Sequence, residues 1–258
     1  MPNSKNKNHP GKLVVVEGID GAGKSTLIRA LREHFEDQGL SVTVSEWRES
    51  RIIGPYIKKL SDKQIKVCPR AFSSLHAADF ADRLSRDILP ALARGEVVIC
   101  DRYFYTEIVR DYGLDLPTDW SVSLFPFAPE PDLILFLNAS LNTSIRRIRK
   151  RMEDNGPAGS LNKSLRMELL GSLLGSLDST TGMMVDGKYK ENGDPMTDKD
   201  RDQIKFRFQT KTREKYHTLF APKKNVVTLD AEKSKSVVLD QAISATKVLF
   251  PSKATRKA

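Results

Sequence analysis

Cysteine is scarce in this chain of 258 residues, which contains only Cys68 and Cys100. Two cysteines in separate segments cannot build a disulfide framework or a zinc site, so we expect both to be reduced thiols in the core. Long apolar runs are also missing, because none approaches the ~20 residues that a membrane-spanning helix needs. The polar N-terminal segment MPNSKNKNHPGK lacks the apolar stretch of a signal peptide. These absences predict a cytoplasmic protein without a membrane partner.

The charge balance is basic but the composition is ordinary. Lysine and arginine total 42 against 33 acidic residues, which gives a formal charge of +9, and 39% of the residues are hydrophobic. This composition excludes disordered, collagen-like and coiled-coil proteins. The positive charge favours anionic partners, and by itself it fits nucleic acid, a nucleotide or simple solubility.

Five short apolar runs alternate with segments of helical period, a pattern typical of βαβ units. We therefore predict an α/β fold of three layers, with a five-stranded parallel sheet and helices on both faces. Several runs are continuously apolar, as expected of strands covered on both sides. The predicted strands are Leu13–Val16, Val42–Val44, Val97–Cys100, Leu133–Leu137 and Val226–Leu229.

Three predicted helices follow from the apolar spacing. The first has Leu27, Leu31 and Phe35 on its buried face and ends near Gly39, and the last begins after Ser234. The second carries its apolar stripe on Leu75, Ala78, Leu84, Ile88 and Leu92.

The predicted domain spans residues 12–250 and lies between tails at 1–11 and 251–258 that we expect to be flexible. Within it, the segment of about 152–203 lacks strand signals and contains seven of the 15 glycines. Such a glycine-rich excursion is typical of a mobile loop region. Two interpretations stay open at this point, a lid over the active site and a disordered insertion without a role.

A phosphate-binding motif follows the first predicted strand directly. Residues 18–26, GIDGAGKST, match GxxxxGK[ST] between a strand and a helix, which is the context that gives this pattern its meaning. Glycines let backbone N–H groups face a phosphate, Lys24 reaches the β- and γ-phosphates, and the Ser25 hydroxyl can hold Mg²⁺. The sequence therefore predicts a site for ATP with Mg²⁺. Its residues are Gly18, Gly21, Ala22, Gly23, Lys24, Ser25 and Thr26.

A second magnesium ligand is predicted at Asp101, which follows the buried strand Val97–Cys100. A carboxylate at the carboxyl end of a parallel strand points into the crevice where α/β proteins bind their ligands. The alternative is a simple surface pair between Asp101 and Arg102.

Four motifs together make the chain resemble the thymidylate kinase family: EGIDGAGKST at 17–26, PALARG at 90–95, Asp101-Arg102-Tyr103 and Pro131-Asp132-Leu133. FQTKTREKY at 208–216 is similar to the helix that follows the lid in that family. The resemblance covers about residues 12–250 apart from the insertion. It implies a P-loop kinase that transfers the γ-phosphoryl group of ATP to dTMP with Mg²⁺ and forms a homodimer.

The resemblance also implies roles for particular residues. Lys24 serves ATP, Asp20 lies near the acceptor sugar and phosphate, and Arg48 and Arg102 hold the acceptor phosphate. Gly21 occupies the place where one subgroup of the family has a loop arginine.

In the other subgroup the catalytic arginine comes from the lid, and here Arg146, Arg147, Arg149 and Arg151 cluster before it. We choose Arg147 and Arg151, which share a helix face, because charge on the transferring phosphoryl group must be neutralised. A solvated basic helix face is the alternative.

The base-reading positions depart from the family. Where it has Phe-x-x-x-Arg to stack on and bond thymine, this chain has His76 and Phe80. Phe80 could stack on a base and Asp111 could accept from a base N–H, so we include His76, Phe80 and Asp111 in the acceptor site. Asp79 and Arg83 are either alternative readers or a surface pair.

We therefore expect a kinase that acts on dTMP or a related nucleoside monophosphate. A nucleoside kinase is one alternative, although two arginines at the acceptor site favour a substrate that already carries a phosphate. An ATP-binding regulator associated with nucleic acid is another, and we do not expect nucleic acid to be a partner of the kinase.

Overall fold

The computed structural model describes residues 9–62, 67–154 and 198–250. Within them, five strands form one parallel sheet in the order β2-β3-β1-β4-β5. The five predicted strands are confirmed, and each is one or two residues longer than its apolar run. They are β1 (Lys12–Glu17), β2 (Val42–Glu46), β3 (Val97–Asp101), β4 (Leu133–Asn138) and β5 (Val226–Asp230).

Helices cover both faces of the sheet, as predicted. They are α1 (Lys24–Asp37), α2 (Gly54–Asp62), α3 (Pro69–Arg83), α4 (Leu89–Ala93), α5 (Phe104–Gly113), α6 (Thr118–Ser123), α7 (Leu141–Asp154), α8 (Asp198–Phe220) and α9 (Lys235–Thr246). Helices α1 and α9 pack on each other, whereas α5 packs against α3, α6 and α8. Among the described residues, no helix has the length and apolarity to span a membrane.

The sheet places three strand ends side by side. Asp101 is in register with Val16 of β1 and with Glu46 of β2, so the loops after β1, β2 and β3 begin at the same edge. The chain leaves β1 toward β2 on one side and leaves β3 toward β4 on the other. Ligands of α/β proteins bind at the carboxyl edge at such a reversal of direction. The topology thus positions a site at this edge.

The predicted end of α1 is confirmed. Gly39 has a positive φ of 76°, and its N–H donates to the Glu36 carbonyl while the next N–H, of Leu40, donates to Phe35. This pair of bonds is a Schellman-type ending, which needs a residue tolerant of left-handed backbone. Helix α9 begins after Ser234, whose hydroxyl accepts from the Val237 N–H at 3.4 Å.

The second predicted helix differs from its predicted stripe in its first half. Ala78 is exposed, and the buried face of α3 carries His76, Phe80 and Arg83. A π-helical turn at Leu84–Ile88 then shifts the phase. Leu84 and Ile88 within that turn, and Leu92 after it, are buried as expected.

The two cysteines lie in different environments. Cys100 is buried in β3, and burial raises the pKa of its thiol to about 12. Cys68 is exposed, so the prediction of two core thiols is wrong for it, because Cys68 precedes α3 at the surface.

Most of the predicted lid segment 152–203 lies outside the described residues. Its two ends are helical, since α7 extends to Asp154 and α8 begins at Asp198. Residues 1–8 of the predicted N-terminal tail and the whole predicted C-terminal tail, 251–258, also lie outside the described residues.

Candidate functional site

The phosphate-binding motif forms a loop packed tightly between β4 and α7. Gly18 and Gly21 both have positive φ, at 149° and 77°. A Cβ on Gly18 would stand 2.7 Å from the Leu137 carbonyl, and one on Gly21 would stand 2.6 Å from that of Ser144. Both positions therefore require glycine, for conformation and for space.

Lys24 begins α1 and is almost fully buried. Its ammonium donates to the carbonyls of Gly18 at 3.0 Å and Ile19 at 3.1 Å, which folds the side chain back over the loop. Burial, followed by the nearby charge of Arg102, lowers the pKa of Lys24 to about 8. A phosphate anion placed here would favour the charged form.

The two predicted magnesium ligands lie together. The Ser25 hydroxyl donates to Asp101 Oδ2 over 3.3 Å. A hydroxyl and a carboxylate at the edge of a phosphate loop are the oxygen ligands that Mg²⁺ accepts, with other positions left to phosphate and water. These residues therefore fit the ion that the motif predicts.

Asp20 and Arg102 form an ion pair across the site. The Arg102 guanidinium also donates to the Gly18 carbonyl at 3.3 Å and to Thr106 Oγ1 at 3.1 Å. Burial alone would raise the pKa of the Asp20 carboxyl, but the surrounding cations, Arg102 first, hold it below its usual value. Asp20 is therefore ionised at neutral pH. The alternative of a surface pair between Asp101 and Arg102 is not observed, because Arg102 pairs with Asp20 and Asp101 accepts from Ser25.

The backbone at Arg102 is strained and supported. Its φ is +70°, which is uncommon for a residue with a side chain. Glu17, buried at the end of β1, accepts from the Tyr103 N–H at 2.8 Å and so holds the turn that follows Arg102. Strain of this kind concentrates at functional sites, where the surroundings hold it in place.

Arg48, in the loop after β2, also has a left-handed backbone held by buried groups. Its φ is +66°, and the loop around it is fixed on both sides by the buried pair Asp79–Arg83. Arg83 donates to Ser45 Oγ at 2.8 Å before the loop, and Asp79 accepts from the Ser50 N–H at 3.0 Å after it. Asp79 and Arg83 are therefore neither a surface pair nor cavity-lining readers.

The energy of this buried pair can be tested against a neighbour. Two i, i+4 ion pairs follow each other here, Asp79–Arg83 and Asp82–Arg86. Both side chains of the first pair are 1% exposed, whereas the arginine side chain of the second is 56% exposed. We expect Arg83→Met to lower the free energy of unfolding by about 3–5 kcal/mol, because it leaves Asp79 buried without its partner. Arg86→Met should cost about 1 kcal/mol or less. Equal losses in chemical denaturation would contradict this.

Arg147 and Arg151 lie on one face of α7, as predicted from their spacing. Arg147 donates to the carbonyls of Ala22 at 3.1 Å and Ala231 at 2.8 Å, so it holds the back of the phosphate loop. Arg151 is exposed at the rim, and its charge contributes to the lowered pKa of Asp20.

One cavity of about 640 Å³ joins these groups. It is lined by the phosphate loop and α1 on one side, by the Arg48 loop on another, and by α3, α5, α7 and α8. The predicted site residues that line it are Asp20, Gly21, Gly23, Lys24, Ser25, Thr26, Arg48, His76, Asp101, Arg102, Arg147 and Arg151. A triphosphate loop and a second set of cations thus face the same space.

Comparison with known proteins agrees with this geometry. The family model described as thymidylate kinase matches residues 16–168, more than half of the chain. The chain belongs to the thymidylate kinase family. The predicted resemblance is therefore confirmed.

Curated relatives agree. The chain is 39% identical over 146 residues to the probable thymidylate kinase of Pyrococcus horikoshii, which covers 55% of this chain and 71% of that protein. It is 36% identical over 167 residues to the probable thymidylate kinase of Pyrococcus abyssi, covering 62% and 82%. It is 35% identical over 141 residues to the thymidylate kinase of Desulfotalea psychrophila, covering 55% and 70%.

Two predicted acceptor residues of this member of the thymidylate kinase family do not line the cavity. Phe80 is fully buried among aromatic rings, with Tyr103 at 4.9 Å between centroids, so it cannot stack on a base from there. Asp111 is buried as well and accepts from Ser73 at 2.6 Å and Ser121 at 2.8 Å. Asp111 therefore joins α3 to α6. Its side chain is used in this helix packing and does not line the cavity.

Several residues that sequence reasoning missed line or support this site. Phe72, Arg110, Gln209 and Tyr216 line the cavity. The buried Glu17 supports it, with the Tyr216 hydroxyl donating to Glu17 at 2.8 Å. A glutamate closing an apolar strand was a signal for Glu17. For Arg110 the signal was its place beside Asp111, and for Gln209 and Tyr216 it was the family-like segment 208–216, but neither signal indicated which side chains would face the cavity.

A buried polar cluster connects α3 and α5 beside the cavity. His76 Nδ1 lies 2.8 Å from Glu107 Oε2 and 2.6 Å from the Arg110 guanidinium, which also pairs with Glu107. Burial, and next Arg110, lower the pKa of His76 well below its usual value, so the ring is neutral. Burial raises the pKa of Glu107 to about 7 despite Arg110.

Glu107 should therefore weaken the fold as the pH rises. Its folded pKa lies above the unfolded value of 4.5, so the folded protein holds a proton that the unfolded chain has released. The stability of the fold with Glu107 protonated is fully present below about pH 4.5 and is lost as the pH rises through 7. We expect the wild type minus Glu107→Gln difference in unfolding free energy to fall by at most about 3 kcal/mol over this range. A difference independent of pH would contradict the assignment.

Proposed function

We propose that this chain is an ATP-dependent thymidylate kinase that phosphorylates dTMP to dTDP for nucleotide biosynthesis. One observation carries the proposal: Lys24 and the Ser25–Asp101 pair face the same cavity as Arg48, Arg102 and Asp20. The first group suits a triphosphate, and the second suits an acceptor that carries its own phosphate. The thymidylate kinase names of the relatives support dTMP as that acceptor.

In the proposed reaction an oxygen of the acceptor phosphate attacks the γ-phosphorus of ATP in line with the bond to the β,γ-bridging oxygen. That bond breaks, ADP leaves with its electron pair, and the diphosphate forms. Lys24 neutralises charge on the β- and γ-phosphates, and Arg48 and Arg102 hold the attacking phosphate in place. No side chain acts as a nucleophile.

Ser25 and Asp101 would hold Mg²⁺, which supplies charge neutralisation at the phosphate oxygens when it is bound. The catalytic arginine is proposed to be Arg147 or Arg151. Both side chains line the cavity, and Arg147 also donates to backbone carbonyls of the loop.

Asp20 has a positioning role in this proposal. Its carboxylate, ionised and paired with Arg102, fixes the guanidinium at the cavity wall. A phosphate that arrives there shares an arginine already held in one rotamer, so less conformational entropy is lost on binding.

The test is a coupled assay of ADP formation with dTMP, dUMP, dCMP, dGMP and AMP as acceptors, with products identified by chromatography. We expect turnover with dTMP and equal amounts of dTDP and ADP. Unphosphorylated thymidine is the matched control, because it lacks the group that the arginines would bind. Turnover of no monophosphate would overturn the proposal, and thymidine used as well as dTMP would favour a nucleoside kinase.

We further propose that the enzyme acts in the cytoplasm and as a homodimer. The cysteines Cys68 and Cys100 are both free, which suits a reducing compartment. The dimer rests on the family resemblance, and light scattering of the purified protein would measure it directly, with a monomer mass contradicting it.

A further inference from the structure

Helix α8 contributes a tyrosine hydroxyl to the site, that of Tyr216. Its side chain is 2% exposed, and its ring packs on Phe136 and Phe220 with centroids 5.3 and 5.5 Å away. Three residues earlier, Arg213 donates to the Ala139 carbonyl at 3.1 Å, which ties α8 to the residue after β4. The Tyr216 hydroxyl is therefore held in one place by the packing of its helix.

That hydroxyl is one of three donors that converge on the buried carboxylate of Glu17. Glu17 Oε1 accepts from the Tyr103 N–H at 2.8 Å. Its Oε2 accepts from Thr106 Oγ1 at 2.7 Å and from the Tyr216 hydroxyl at 2.8 Å. Burial raises the pKa of Glu17, whereas the charge of Arg102 and these hydrogen bonds lower it. A carboxylate with no exposure needs such donors to stay charged.

The direction of the hydrogen bonds is determined at Thr106. Its hydroxyl lies 3.1 Å from Arg102 Nη1 and 2.7 Å from Glu17 Oε2. An arginine has only donors, so Thr106 accepts from Arg102 and gives its single proton to the carboxylate. Burial raises the pKa of Tyr216 well above its usual value, so its hydroxyl stays protonated and donates as well. The hydrogen bonds therefore run from Arg102 and from Tyr216 toward Glu17.

This arrangement holds the guanidinium of Arg102 at two places. Its Nη2 pairs with Asp20 directly, and its Nη1 donates to Thr106, which Glu17 orients. A guanidinium held in one rotamer loses less conformational entropy when it binds a phosphate. Without the Tyr216 hydroxyl, Glu17 keeps one donor fewer, and the second of these two supports is weakened.

We propose that Tyr216 is a positioning residue of the acceptor site, which orients Arg102 toward the acceptor phosphate through Glu17. This inference rests on the proposed function, because that function assigns the acceptor phosphate to Arg102. It adds α8 to the elements on which acceptor binding depends. Tyr216 lines the same cavity but acts through the arginine and not on the nucleoside.

The test is Tyr216→Phe, which removes the hydroxyl and keeps the ring. Tyr105→Phe is the matched control. Tyr105 is also buried, its hydroxyl donates to the carboxylate of Glu130 at 3.1 Å, and its ring packs on Phe220 at 5.3 Å, but it does not line the cavity. Each protein is assayed for kcat and for the KM of dTMP and of ATP. Calorimetry with ADP present gives the Kd of dTMP and of thymidine.

We expect Tyr216→Phe to raise the KM and the Kd of dTMP by about 10-fold, with kcat and the KM of ATP changed by less than about 3-fold. The Kd of thymidine should stay the same, because thymidine has no phosphate for Arg102 to hold. Tyr105→Phe should leave all of these values at the wild-type level. In an Arg102→Gln background, Tyr216→Phe should raise the Kd of dTMP by less than about 2-fold, because its effect passes through the arginine.

Thr106 provides a second check on the same chain of hydrogen bonds. Thr106→Ser keeps the hydroxyl, whereas Thr106→Val removes it at similar volume. We expect the serine variant to bind dTMP at least about 5-fold more tightly than the valine variant, with no such difference for thymidine. Equal dTMP affinity in the two variants would contradict the role of the hydroxyl. If Tyr216→Phe does not fold in chemical denaturation, this pair decides the inference.

Two results for a folded Tyr216→Phe would overturn the inference and leave the proposed function standing. One is an equal loss of affinity for dTMP and thymidine, which would place the hydroxyl on the nucleoside, and the other is dTMP affinity at the wild-type level. If the wild type binds dTMP without turning it over, the proposed function fails, and the Kd values still decide the role of Tyr216. If the wild type binds dTMP no more tightly than thymidine, both are overturned.

Discussion

Replacing Lys24 with alanine is expected to lower kcat by at least about 10³-fold while leaving the fold intact. The ammonium is the cation that the phosphate loop itself supplies, and phosphoryl transfer depends almost entirely on positioning and charge neutralisation. Its own contacts are two hydrogen bonds to loop carbonyls, so the sheet and core do not depend on it. Steady-state kinetics with saturating ATP and dTMP measure the loss.

Two further variants make this result specific. Lys24→Met keeps most of the buried side-chain volume and should be as inactive as alanine, because the charge and not the packing matters. Lys235→Ala removes an exposed lysine at the start of α9 and should leave kcat unchanged. If Lys24→Met keeps more than a tenth of the wild-type rate, the role assigned to Lys24 is wrong.

Replacing Arg102 with glutamine is expected to raise KM for the monophosphate about 100-fold, with a much smaller change in KM for ATP. A charge-assisted contact to a phosphate in a partly buried site contributes about 2–5 kcal/mol, and tenfold in affinity corresponds to about 1.4 kcal/mol. The turn at this position is supported by the hydrogen bond from the Tyr103 N–H to Glu17, which the substitution leaves in place, so we expect the loop to keep its conformation.

The control for Arg102 is Arg94→Gln, which removes an arginine from a surface pair with Glu96. It should leave both KM values unchanged. Because Arg102→Gln also leaves Asp20 without its partner, Arg102→Gln/Asp20→Asn separates the two effects. An acceptor KM within threefold of wild type in both Arg102 variants would remove Arg102 from the acceptor site.

The phosphate end of the site could be predicted from sequence because its chemistry is local. Lys24 and Ser25 are adjacent in the chain, and the strand and helix around them are encoded by uninterrupted apolar runs and a 3.6-residue period. Asp101 and Arg102 were also predictable, since the carboxyl ends of neighbouring parallel strands meet at one edge. Here sequence position determines spatial position.

The base end could not be predicted in the same way. Its polar atoms come from α3, α5 and α8, and which side chains face the cavity depends on how each helix is rotated in the packed structure. The family pattern placed Phe80 of α3 and Asp111 of α5 at the base, but Phe80 packs in the core and Asp111 joins two helices. Arg110, the neighbour of Asp111 on α5, lines the cavity instead.

The sequence by itself determined the sheet, the phosphate loop and the family, because strand burial, helix period and glycine geometry are properties of neighbouring residues. Only the tertiary structure decided that Asp79 and Arg83 support the Arg48 loop and that Arg110 and Gln209 line the cavity. The physical reason is that buried polar groups need partners, and some of these partners are distant in the chain, as Ser45 is from Arg83 and Ser50 from Asp79. Only the packed structure brings such groups within hydrogen-bonding distance.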